Sequence, residues 1–117
     1  MTRKETRIDY VEIPVTDLGK TKAFFGELFG WEFQEWGPDY SSFNDGRLDG
    51  GLRRADEPAP ASGVLLVFYS EDLERDLVRI EALGGTISQP IFEFPGGRRF
   101  HFVDPAGTEF AMWSATE

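Results

Sequence analysis

Hydrophobic and polar positions alternate over residues 8–15, where Val11, Ile13 and Val15 interleave with Tyr10, Glu12 and Pro14. A period of two predicts a strand with one apolar face. Thr16 and Asp17 are helix-capping residues. Leu18, Phe25, Leu28 and Phe29 then share one face of a helix predicted over 18–29. Gly30 suits the left-handed position that ends a helix. Extended stretches follow at 31–36, 40–44 and 48–54, separated by Gly37-Pro38 and the turn dipeptide Asp45-Gly46. Gly50-Gly51, inside the third stretch, signals a bulge or a close approach to the backbone.

Residues 55–62, rich in Pro and Ala, read as a linker. The order then repeats. An apolar strand at 64–70 leads to a helix over 73–83, capped by Asp72, with Leu73, Leu77 and Ile80 on one face and Gly84-Gly85 at its end. Extended stretches at 86–94, 98–103 and 108–113 follow, with turns at 95–97 and 104–107. Pro90 weakens the first of these or places it at a sheet edge. A shift of 55 lays Asp17-Leu18 on Asp72-Leu73, Leu28 on Leu83 and Gly30 on Gly85. An internal repeat is a unit that buries its face against its twin. The expected fold class is α+β: one domain, residues 1–117, of two tandem βαβββ modules (about 7–54 and 63–115) forming a curled mixed sheet. A ferredoxin-like sandwich is the alternative, but it places two strands between its helices, and four extended stretches stand there in this chain.

Composition narrows the function. The 117 residues suit one core. Eleven Phe, three Trp and three Tyr suit both a core and an apolar pocket. A net charge of -9 disfavours nucleic acid and anionic membrane surfaces as partners. The absence of cysteine excludes disulfides, thiolate metal sites and Cys nucleophiles. The charged residues 1–9 do not form a secretory signal, and no stretch approaches a membrane span, so a cytoplasmic location is expected.

The segment IDYVEIPVTDLGKTKAFFGELFGWEF resembles the opening of vicinal-oxygen-chelate proteins, the superfamily of glyoxalase I, bleomycin-resistance proteins, fosfomycin-resistance enzymes and extradiol dioxygenases. LLVFYSEDLERDLVRIEALGG resembles the same opening repeated, and RRFHFVDPAGTEFAMW the family's closing hairpin. The resemblance implies a substrate cavity within the curled sheet and, in metal-dependent members, four His, Gln or Glu ligands holding a Lewis-acidic ion. Those ligand positions fall here on Tyr10, Leu65, Ala111 and Gly50 or Gly51, none of them a usual ligand. His101 is the single histidine. An all-oxygen site from Glu12 and Glu109 with waters would suit Mg²⁺ or Ca²⁺. The expectation is no catalytic metal and no cofactor.

Strand alternation assigns the cavity lining. Tyr10, Glu12, Leu65, Val67, Tyr69, Arg99, His101, Glu109, Ala111 and Trp113 are expected to face inward, with Phe100, Phe102, Phe110 and Met112 on the helix side. Glu12 and Glu109 are expected to pair with Arg99 or another basic residue. Arg53-Arg54 and Arg98-Arg99 are candidates for an anionic ligand or for pairing with surface acids. Tyr10, Glu12, Leu65, Tyr69, Arg99, His101, Glu109 and Trp113 are therefore the candidate ligand contacts. Glu12, His101 and Glu109 are the candidate acid–base groups of a competing enzymatic reading. The expected function is binding of a small aromatic or amphipathic molecule. The resemblance also implies a homodimer, with exchange of modules hinged near Pro58 and Pro60.

Overall fold

The computed structural model describes residues 8–58 and 63–115. The hinge expected at Pro60 lies outside the described residues.

The first module runs β1 (Tyr10–Val15), α1 (Leu18–Phe29), β2 (Glu32–Glu35), β3 (Tyr40–Asn44) and β4 (Asp49–Arg54). The second runs β5 (Val67–Tyr69), α2 (Leu73–Ala82), β6 (Thr86–Phe94), β7 (Gly97–Val103) and β8 (Glu109–Ala115). The strands form two four-stranded mixed sheets, one per module, ordered β1-β4-β3-β2 and β5-β8-β7-β6. In each, the first strand pairs parallel with the last and the other pairings are antiparallel. The sheets do not close on each other.

Both helices start as their sequences dictate. The Asp17 side chain accepts the Lys20 amide at 3.0 Å, and Asp72 accepts that of Arg75 at 3.0 Å. Gly30 ends α1 at φ 73, a conformation costly for a residue with a Cβ. β5 is shorter than expected: only Val67–Tyr69 pairs with β8, and Val64 stands exposed ahead of it. β6 is an edge strand, and its register against β7 shifts twice between Ile87 and Phe92, around Pro90. A proline has no N–H for the ladder, so it is tolerated at an edge or bulge.

One core serves both modules. Ile13, Val15, Phe43 and Leu52 of the first sheet join Phe100, Phe102, Phe110 and Met112 of the second. Between them sits α1. Phe25 is fully buried, stacked 4.6 Å from Trp31 and edge-on to Phe110 at 5.2 Å. Phe24 reaches Phe102 at 6.3 Å. Two polar ties span the modules: Thr16 Oγ1 donates to the Ala106 carbonyl at 2.8 Å, and Arg79 Nη2 to the Glu27 carbonyl at 3.1 Å.

Asp76 of α2 is a buried carboxylate, 6% exposed. Burial alone would raise its pKa. Hydrogen bonds from Arg75 and Ser70 and the charges of Arg75 and Arg79 outweigh that and hold it below the ordinary aspartate value. A depressed folded-state pKa contributes stability that is present above the unfolded value and lost as pH falls through the folded one. Asp76→Asn is therefore expected to cost about 1–2 kcal/mol near neutral pH, discounted because both arginines are half in water. The gap to the native chain should narrow as pH falls below about 4. Urea unfolding at several pH values checks this; a gap that does not shrink in acid would contradict it.

Candidate functional site

Each sheet turns one face to the core and leaves the other open. On the first sheet, the register sets Tyr10 opposite Asp49, Glu12 opposite Gly51, Ser42 opposite Gly51 and Tyr40 opposite Arg53, all on the open face. Tyr10 and Tyr40 hydroxyls meet at 2.6 Å, Tyr40 donates to Glu12 at 3.0 Å, and Arg53 Nε reaches the other Glu12 oxygen at 3.3 Å. The Tyr40 hydroxyl titrates well above its ordinary value: burial disfavours phenolate, and the hydrogen bonds with Tyr10 and Glu12 hold the proton. Trp36, just past β2 and largely exposed, donates its indole N–H to Ser42 at 2.9 Å. Tyr10, Trp36, Tyr40, Phe33 and Phe43 border a cavity of about 590 Å³.

On the second sheet, β7 and β8 set Arg99 opposite Trp113, His101 opposite Ala111 and Val103 opposite Glu109. Tyr69 pairs with Trp113 across β5 and β8, with their rings 5.1 Å apart and edge-on. From β6, Phe94 approaches Trp113 at 6.2 Å and Phe92 lies 6.0 Å from the His101 ring. Glu109 Oε2 accepts from Ser88 Oγ at 3.1 Å and lies 3.4 Å from His101 Nδ1.

The strand phases expected from sequence hold on both sheets, but the lining divides between them. Tyr10 and Glu12 stand on the first sheet. Tyr69, Arg99, His101, Glu109 and Trp113 stand on the second, and Leu65 precedes its first strand. The faces meet at one pocket of about 160 Å³, where Glu12 and Glu109 are both in the lining with Pro14, Val64 and Leu66. The basic partner expected for Glu12 is Arg53 and not Arg99, because β1 and β4 are neighbours, and Glu109 turns to Ser88 and His101. Arg54 pairs with Asp39 and Arg98 with Glu74, so neither is spare for a ligand. Tyr40, Trp36, Ser42 and Phe92 were not legible as site residues; β2 and β3 lack a clear apolar alternation to fix their faces.

Residues 7–112 match the sequence profile of the Glyoxalase/Bleomycin resistance protein/Dioxygenase superfamily. The chain belongs to this family. Solved members share its fold. A genomically encoded fosfomycin resistance protein, FosX, from Listeria monocytogenes superposes with TM-score 0.81 at 24% identity, covering 97% of this chain and 96% of its own. A family enzyme from Burkholderia phytofirmans PsJN gives 0.80 at 18%, covering 93% of this chain and 100% of its own. TioX from Micromonospora sp. ML1 gives 0.71 at 20%, covering 94% and 99%. Among curated proteins, none matches the chain in sequence.

A mutant of the Listeria protein is complexed with Mn(II). In this chain the ligand positions that the family resemblance implies do not fit a metal. Register equates Gly51 with Ala111, opposite Glu12 and Val67 respectively, so both last-strand positions lack a donor. At Gly51 the space is taken: a Cβ there would collide with the Tyr40 ring and hydroxyl and lie 2.6 Å from the Tyr10 hydroxyl. Among the described residues no three His, Cys, Asp or Glu side chains group as a metal site. No helix among the described residues is long and apolar enough to cross a membrane.

Proposed function

We propose that this family member binds a small aromatic or amphipathic molecule on its open sheet faces, without a catalytic metal. The observation that supports this best is the exposure of Trp36 and Tyr10 on the first sheet and Tyr69 on the second, 60%, 45% and 54%, with Trp36 and Tyr10 lining the first sheet's cavity beside Glu32, Gln34, Ser42, Asn44 and Asp49. The 590 Å³ cavity falls in the usual volume range of small-molecule sites, about 300–1,000 Å³, and its polar side chains suit an amphipathic ligand. A homodimer in which a second copy covers these open faces is part of the reading, since a lone sheet face leaves such rings in water. A second reading, acid–base catalysis, rests on His101: it is buried, neither ring nitrogen has a hydrogen-bond partner, and Glu109 is beside it.

A thermal-shift panel of aromatic compounds tests binding. A ligand at 100 times its Kd adds about 2.7 kcal/mol and visibly raises the melting temperature. Trp36→Ala and Trp113→Ala then report which sheet carries the site. A panel without any shift would sink the binding reading. Stoichiometric Zn, Ni, Mn or Fe in the purified protein would sink the metal-free part.

A further inference from the structure

Arg99 and His101 stand two residues apart on the open face of the second sheet, and Arg99 has no ion-pair partner among the described residues, while His101 Nδ1 lies 3.4 Å from Glu109. Arg99 Nε and both ring nitrogens of His101 are buried without a hydrogen-bond partner, and His101 is only 6% exposed. A buried polar atom left unpaired is costly, and a ligand that supplies its partner recovers that cost. Arg53, Arg54, Arg75 and Arg98 each reach a carboxylate. Arg99 reaches none among the described residues, in a chain of net charge -9. Its guanidinium carbon lies instead 5.4 Å from the Phe92 ring and 5.8 Å from that of Phe94. Such rings hold a guanidinium in place and leave its N–H groups free to donate. Glu109, on the same face, is turned to Ser88 and His101.

We infer that the molecule bound on the second sheet is an aryl-alkyl carboxylate. The inference rests on the small-molecule reading above. The carboxylate pairs with the Arg99 fork beside His101, and the ring packs against Trp113, Tyr69 and Phe94. Arg99 lies directly across the strand pair from Trp113, so head group and ring fall on adjacent positions. A planar guanidinium matches a carboxylate in two parallel hydrogen bonds. One unpaired arginine neutralises one negative charge, which favours a carboxylate over a dianionic phosphate on so acidic a chain.

Calorimetry with three isosteres of different charge tests this: 2-naphthylacetate, 2-naphthylacetamide and 2-(2-naphthyl)ethylamine, titrated into the full chain. The acetate is expected to bind roughly 10- to 100-fold more tightly than the amide, the range of a charge-assisted hydrogen bond. Arg99→Gln should erase that preference and leave amide binding in place. Arg99→Lys, keeping the charge without the fork, should retain part of it. Equal affinities, a preference for the amine, or an acetate preference that survives Arg99→Gln would overturn the inference. If Arg99→Gln fails to fold, the acetate-to-amide ratio on the native chain still decides. If none of the three binds while other aromatics shift the melting temperature, the carboxylate assignment falls and the small-molecule reading stands. If no aromatic of any charge binds, both fall.

Discussion

Phe25→Ala is expected to destabilise the chain by about 3–5 kcal/mol, the usual cost of removing a fully buried phenylalanine. The reason lies in what the ring touches. Phe25 contacts Trp31 and Phe29 of its own module and Phe68 and Phe110 of the other. The void would open where the two modules share their core, and neither sheet can collapse into it without dragging its ladder. Native domains are stable by only about 5–15 kcal/mol, so this one change takes a large share. The melting temperature should fall by roughly 12–20 °C for a chain of this size. Urea unfolding and a thermal scan check it. A loss below about 1.5 kcal/mol, the usual ceiling for a well-tolerated core swap, would mean that α1 is not the shared wedge between the modules.

Gly97→Ala is the second large effect. Gly97 opens β7 opposite Ala115 of β8, and a Cβ there would strike the Ser114 carbonyl oxygen and come within 3.1 Å of its carbon. The obstacle is backbone, so no rotamer change relieves it. Pushing the strands apart should cost about 1–3 kcal/mol, as overpacking does elsewhere. It should also disturb the Arg99–Trp113 pair two positions along, so any ligand held on the second sheet should bind more weakly. Gly96→Ala is the contrast. Gly96 has φ 103 with open space around it, so it carries backbone strain without a clash and leaves the ladder spacing alone. Unfolding curves together with ligand titration separate the two. Equal effects on binding from both variants would contradict the clash argument.

Much of this architecture was legible in the chain itself. The helix caps, the glycine stops and the repeat all depend on neighbours within a few residues. Alternation then put Tyr10 and Glu12 on one face and Arg99, His101, Glu109 and Trp113 on another, because a strand allows only two sides. Long-range register was not legible. Nothing near Glu12 in sequence indicates that β4 lies beside β1 and supplies Arg53, 41 residues away. The irregular register of β6, which seats Phe92 opposite Arg99 and Phe94 opposite Gly97, follows from shifts that no periodicity can display.

The tyrosine pair over Gly51 limits which sequence changes can follow one another. A side chain introduced at position 51 displaces the hydroxyl ends of Tyr40 and Tyr10 on the open face. That displacement gives up the hydrogen bonds that join Tyr40 to Tyr10 and Glu12. Position 51 is therefore coupled to position 40, and the first effect of any residue larger than glycine there is a loss. Larger residues at position 51 should accordingly be tolerated better in libraries that vary positions 40 and 51 together than in those that vary position 51 alone.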